Sequence, residues 1–222
     1  MSCSIIIPTY NRKRFEILIE ENIKRQLYNN IIEVLIGDDG DEKEALSLNI
    51  PYPVEYIRCP RMTIGEKRNL LVSKAKGEFI AHMDTDDIYL PAYIQSSIDK
   101  MIKYNKDVSG TSDMLFIFVD GSTNAMKNPL LSMANEATLV YRKSFWEEKP
   151  FNTSQTSEAI PFLKGRHWQI IHNEIEHIMI CLCHKENTVN KNRWKEQNKV
   201  SFKIMDYYKP ILKKLGFCCD FI

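Results

Sequence analysis

The sequence predicts an α/β fold in which a mixed, mainly parallel sheet is flanked by helices. Three observations carry this. Apolar runs of strand length alternate with amphipathic helical stretches through the first hundred residues. The runs are continuously apolar, as in strands buried on both faces. Polar and acidic residues gather at their C-terminal ends, where open α/β sheets place ligands.

Cys3 to Thr9 is rich in β-branched residues, is bounded by Pro8, and reads as the first strand. Phe15, Leu18, Ile19, Ile23 and Leu27 then recur at helical spacing, with Lys13, Glu16, Glu20, Glu21 and Lys24 on the opposite side. Residues 32–37 form a second strand that stops at Asp38-Asp39-Gly40, and 54–59 a third. Thr63-Ile64-Gly65-Glu66 has the Thr-x-x-Glu form of a capping box; its helix runs to about Ala75, with Gly77 as its stop. A fourth strand covers 78–83, and Pro91 opens a helix with Ile94, Ile98, Met101 and Ile102 as its apolar positions. Further on, strands are expected at 114–119, 137–141 and 178–183, and a helix at 200–215.

The chain has 222 residues, 44% hydrophobic and 27% charged, which suits one domain, with the regular strand–helix alternation in its first half (1–105) and a less regular second half (106–222) ending in a helix. No apolar run approaches the roughly eighteen residues that a membrane span needs. The N-terminus enters a strand almost at once and reads as no secretion signal. Six cysteines follow no framework spacing, so reduced thiols in the cytoplasm are expected. Net charge is +1, yet residues 185–214 carry nine Lys or Arg against three Asp or Glu. That stretch is either a solvated helix face or a surface for an anionic acceptor, a diphosphate or, weakly, a membrane. No nucleic-acid partner is expected.

Three strand ends hold the candidate chemistry: Thr9-Tyr10-Asn11-Arg12, Asp38-Asp39 and Asp84-Thr85-Asp86-Asp87. In an extended segment Asp84 and Asp86 point the same way. Two carboxylates about 4 Å apart repel by roughly 4 kcal/mol at an effective dielectric near 20, so such a pair calls for a cation or a raised pKa. Oxygen ligands favour Mg²⁺ or Mn²⁺ completed by substrate phosphates. The plainer alternative is that Asp86 or Asp87 caps a turn or the next helix.

Four segments in order resemble family 2 of the glycosyltransferases, inverting enzymes of the GT-A (Rossmann-like) fold: Ser4 to Arg12, Ile36 to Gly40, Gly65-Glu66-Lys67-Arg68-Asn69, and Gly77 to Ile80 leading into Asp84 to Asp87. The resemblance implies that Pro8, Thr9, Tyr10, Arg12, Asp38, Asp39, Arg68, Asp84 and Thr85 surround a nucleotide-sugar donor, with the Tyr10 ring against the base and Asp39 accepting from its imide. Uracil fits, so UDP is the implied carrier. Asp84 and Asp86 would form the DXD motif, with Asp86 the direct metal ligand and His184, after Cys181-Leu182-Cys183, a third. Glu158, before a short helical segment, matches the position of the general base, although Ala159 stands where a second acid is usual. Each has a plain alternative: a surface ion pair for Arg68, a helix-start carboxylate for Glu158, a core or rim anchor for Trp146 and Trp168, which otherwise stack on an acceptor sugar. Zinc at Cys181, Cys183 and His184 lacks a fourth ligand at standard spacing.

The expected reaction is metal-dependent, inverting sugar transfer to a glycan or protein-linked acceptor. A nucleotidyltransferase or dinucleotide oxidoreductase would place a Gly-rich loop after the first strand, where this chain has Pro8-Thr9-Tyr10-Asn11-Arg12. A non-catalytic nucleotide-sugar binder stays open beside them. The wealth of Lys, Asn and Ile resembles the small glycosyltransferases of large DNA viruses or of bacterial polysaccharide clusters, working in the cytoplasm.

Overall fold

The computed structural model describes residues 1–127, 133–195 and 200–219. In chain order the elements are β1 (Cys3–Thr9), α1 (Glu16–Lys24), β2 (Ile31–Asp38), β3 (Val54–Arg58), α2 (Ile64–Lys74), β4 (Phe79–His82), β5 (Asp87–Tyr89), α3 (Tyr93–Lys103), β6 (Val108–Gly110), β7 (Met114–Phe118), β8 (Thr123–Met126), β9 (Val140–Arg142), α4 (Lys143–Glu148), α5 (Ala159–Leu163), β10 (Ile170–His172), α6 (Ile175–Ile178), β11 (Met179–Cys183) and α7 (Lys209–Lys214). Seven strands form the main sheet in the order β10-β6-β9-β4-β1-β2-β3. Only β9 runs antiparallel to its neighbours there. A second sheet, ordered β5-β11-β7-β8, supplies the other wall of the cleft described below.

The continuous apolar runs follow from burial on both faces. Ile5 and Ile7 of β1 join a core with Leu18, Ile94 and Phe116, while Ile6 between them joins Leu71, Phe145 and Phe162. The same alternation recurs at Val34-Leu35-Ile36 and Phe79-Ile80-Ala81. Each fully buried side chain of this size contributes about 1.5–3 kcal/mol. A one-residue slip would exchange one apolar face for another, so the pattern alone does not set the register. Polar contacts do: Ser4 Oγ donates to Glu33 Oε1 at 2.7 Å, and the N–H groups of Gly77 and Lys76 donate to Ser4 Oγ and Glu33 Oε1.

The capping box forms as expected, with Thr63 Oγ1 accepting from the Glu66 N–H and Glu66 Oε2 accepting from the Thr63 N–H. Gly77 does not cap α2, which closes at Ala75 in extended backbone. It is needed for close approach, since a Cβ there would lie 2.5 Å from Ser4 N. The helix expected over 200–215 is confined to Lys209–Lys214, after a 3₁₀ turn at Asp206–Tyr208. Pro210 sits in its first turn; a longer helix would need the N–H that proline lacks. The strand expected at 137–141 opens instead as a 3₁₀ turn, Glu136–Thr138, and only Val140–Arg142 pair. There Thr138 Oγ1 donates toward Asn135 and Thr111 carbonyls, which competes with a ladder. No helix among the described residues is long and apolar enough to cross a membrane.

Candidate functional site

A cleft opens where β1 and β4 end. It has two lobes. The smaller, about 150 Å³, is lined by Pro8, Thr9, Tyr10, Arg12, Arg61 and Lys67 among others. The larger, about 380 Å³, is lined by Arg68, Phe116, Glu136, Glu158, Lys191 and Trp194 among others. Both touch Ile64, Asp84, Asp86, Gln155 and Thr188, so the acidic turn after β4 is their shared wall.

In the small lobe the Tyr10 ring is 43% exposed, and the Arg61 guanidinium lies 3.7 Å above its centroid. Arg61 Nη1 also donates to Asp39 Oδ1 at 3.2 Å. Asp39 further accepts from Lys67 Nζ and from the Met62 N–H. Burial pulls Lys67 below its usual range, and the Asp39 carboxylate resists that. Thr9 Oγ1 is a buried hydroxyl with no hydrogen-bond partner among the described residues. Neither carboxylate after β2 lines the lobe: Asp39, its side chain 0% exposed, lies behind Arg61 and Lys67, and Asp38 lies farther back. Its oxygens take the Gly40 N–H, Tyr56 Oη and Arg58 Nη1, at 2.8, 2.5 and 2.5 Å, which pins the loop after β2.

Asp84 to Asp86 are not extended, as a strand continuing past His82 would require; the chain turns at Thr85 and Asp86 before β5. The turn gives the two carboxylates different partners. Asp84 Oδ1 accepts from Arg68 Nη2 at 3.1 Å, while Asp86 Oδ2 lies 3.0 Å from His184 Nε2 and 3.7 Å from Arg12 Nε. Burial raises Asp86, but the His184 contact, with Lys191 and Arg12, holds it below the usual range overall. Asp87 caps no helix; its Oδ1 accepts the Leu182 N–H and ties β5 to β11. Among the described residues no three His, Cys, Asp or Glu stand close enough to hold a metal by themselves. A carboxylate and an imidazole are nonetheless donors that Mn²⁺ accepts, and such ions draw further ligands from water and phosphates. Asp84 and Asp86 line both lobes and fit an ion held jointly with a nucleotide, while His184, its side chain 3% exposed, lines neither lobe and meets the same Asp86 oxygen from behind.

Arg68 is the electrostatic centre of the large lobe. It is 1% exposed, so it makes no surface ion pair. Its Nε donates to Glu158 Oε1 at 2.8 Å, and Nη1 lies 2.9 Å from His82 Nδ1. Burial would lower the guanidinium, but Asp84 and Glu158 outweigh it and raise it. Burial, with Arg68 alongside, holds His82 well below its usual range, hence neutral. Glu158 is itself 2% exposed and follows Ser157, whose left-handed φ of 58° aims the turn inward.

Sequence reasoning missed Glu136. It lies on the 3₁₀ turn before β9, and its Oε1 accepts the Ala159 N–H at 3.1 Å. Burial and then the neighbouring Glu158 raise its carboxyl above the usual range. Lys191 was read only as part of a basic stretch, yet it turns inward toward Cys181 and the acidic turn. Lys199 of that stretch lies outside the described residues. Trp146 and Trp168 do not line the cleft: Trp146 donates to Asn69 Oδ1 beside the second core, and Trp168 is exposed. The tryptophan at the cleft is Trp194, stacked on Phe116.

Comparison with known proteins agrees with this geometry. The pattern of Glycosyl transferase family 2 matches residues 4–159. The chain is 26% identical over 107 residues to an uncharacterized glycosyltransferase of Haemophilus influenzae, covering 48% of this chain and 36% of that protein. It is 32% identical over 108 residues to one of Rickettsia prowazekii, covering 47% and 34%. It thus spans about a third of the length of these relatives. The fold is shared with S. aureus TarS, solved in complex with UDP-GlcNAc, at a TM-score of 0.62 and 16% identity, over 84% of this chain and 60% of that one. With the family pattern spanning β1 to the start of α5, and so both carboxylate-bearing walls of the cleft, the chain belongs to glycosyl transferase family 2.

Proposed function

We propose that the chain transfers a sugar from a UDP-sugar to a hydroxyl of a carbohydrate or glycoprotein acceptor, with inversion. The observation that carries this is the two-lobed cleft meeting on Asp84 and Asp86 in a chain of this family. The small lobe takes the nucleotide. Arg61 there is a planar group stacked on Tyr10 with an N–H donating to Asp39, the two contacts that a uracil would make. The base displaces Arg61 and inherits both, and the unpartnered Thr9 hydroxyl faces the same ligand. TarS, whose fold is similar, has been solved with UDP and with UDP-GlcNAc, which supports UDP as the carrier.

The sugar then lies on the shared wall, and the acceptor enters the large lobe beside Trp194, Glu136 and Glu158. A Mn²⁺ or Mg²⁺ ion held by Asp84 and Asp86 would offset charge on the departing diphosphate. Arg12 and Lys191 add positive charge at the same turn. A cytoplasmic setting belongs to this reading.

Thermal melting against UDP, GDP, CDP and ADP, each with and without Mn²⁺, tests it. UDP at a hundred times its dissociation constant stabilises by about 2.7 kcal/mol. The shift is expected with UDP, to grow with Mn²⁺, and to vanish in Asp86→Ala. No shift with any nucleotide would overturn the proposal.

A further inference from the structure

The acceptor lobe holds two carboxylates from distant parts of the chain, and they differ in how they meet the cavity. Glu158 is 2% exposed, and its Oε1 already accepts from Arg68 Nε at 2.8 Å. An acceptor hydroxyl has little room to reach it. Glu136 is only partly buried and lines the lobe together with Asp84 and Asp86. Its Oε1 takes the N–H of Ala159, the residue directly after Glu158. Glu136 is therefore held against the start of α5, beside Glu158, from the turn before β9.

That turn is fixed on both sides. The carbonyl of Glu136 is 2.8 Å from His82 Nδ1, and Tyr89 Oη donates to the Ala137 carbonyl at 3.0 Å while accepting the Asp84 N–H at 2.8 Å. The acidic turn of the donor side and the Glu136 turn of the acceptor side thus share one hydroxyl. On these observations we propose that Glu136 is the general base of the transfer and that Glu158 is a positioning residue acting through Arg68. The inference rests on the glycosyl-transfer reading above. The carboxylate of Glu136 takes the proton of the acceptor hydroxyl as its oxygen bonds to the anomeric carbon. The bond from that carbon to the diphosphate oxygen breaks, and its electron pair leaves on UDP.

The charges acting on Glu136 suit this role. Burial and Glu158 raise its carboxyl, and Arg68 with the Ala159 N–H draw it back only in part. Arg68 is in turn shared with Asp84. A base whose pKa is lifted toward the working pH accepts a proton more readily. The sign for stability follows. The folded carboxyl binds its proton above the unfolded range, so ionising it at neutral pH costs stability that Glu136→Gln removes.

The test measures UDP released from UDP-GlcNAc, UDP-glucose and UDP-galactose with Mn²⁺, water serving as acceptor, across pH. Glu136→Gln is expected to lower turnover about 100- to 10,000-fold, to abolish the acidic limb of the pH profile, and to leave the UDP melting shift intact. It should also melt higher than the parent near pH 7 and equally near pH 4. Glu136→Asp keeps the acidic limb with part of the rate. Glu158→Gln loses rate but keeps the limb. Glu136→Gln within threefold of the parent, or a limb that disappears in Glu158→Gln and survives in Glu136→Gln, overturns the assignment while sparing the sugar-transfer reading. A parent chain that releases no UDP from any of the three donors sinks that reading and this base with it.

Discussion

Replacing Arg68 by Met tests whether the large lobe is held together by charge. The side chain is 1% exposed and bridges Glu158 Oε1 at 2.8 Å and Asp84 Oδ1 at 3.1 Å. Met keeps much of the volume and removes the cation, so Glu158, 2% exposed, stays buried without its partner. Breaking a buried pair in this way costs about 3–5 kcal/mol. For a chain of this size each kcal/mol is worth about 2–4 °C, so the melting temperature should fall by about 6–20 °C. The double variant Arg68→Met, Glu158→Gln removes the stranded charge and should recover a large part of the loss. Differential scanning calorimetry on parent, both single variants and the double closes the cycle. A single variant within 2 °C of the parent, taken as about 1 kcal/mol, or a double variant no more stable than Arg68→Met, refutes the reasoning.

The remaining predictions concern the small lobe and a buried imidazole. Arg61→Ala frees the Tyr10 face; the cation–π contact it removes is worth about 0.5–1 kcal/mol at an exposed site, so UDP should bind about two- to fivefold tighter by calorimetry. Weaker binding would show that Arg61 grips the nucleotide and does not merely hold its place. His82 is kept neutral by burial and by Arg68, whereas in the unfolded chain it takes up a proton as pH falls through about 6.5. Stability should therefore decline below that pH, and the slope between pH 7 and 5.5 should be shallower in His82→Gln. An unchanged slope would show that His82 titrates alike in both states.

Most of the donor side was legible because its signals are local. β1, β2 and α2 with its capping box follow from runs and spacings of fewer than a dozen residues, and the polar strand ends fall where parallel strands deliver ligands. Where the reading failed, distance along the chain was the reason. The three-residue strands β5, β6 and β10 are too short to show a period. The turn at Thr85 and Asp86 depends on Tyr89 and Leu182, which the local pattern does not name. Glu136 precedes β9 as an ordinary loop acid, and only the fold shows that its carboxylate lies against Ala159. Asp38 and Asp39 look equivalent in sequence, yet one is spent on Tyr56, Arg58 and Gly40 while the other stands under Arg61.

The Tyr89 hydroxyl, shared between the Asp84 N–H and the Ala137 carbonyl, sets how far apart the two acidic turns that line the large lobe can drift. It works as a gauge block: 0% exposed and flanked by Tyr93, it fixes the spacing between the acidic turn after β4 and the Glu136 turn before β9 whatever occupies the lobe. Loops around the lobe can then change in sequence and shape without its two acidic turns losing alignment. Variation in the surrounding loops and alignment of the two acidic turns are thereby separated at the level of a single phenol.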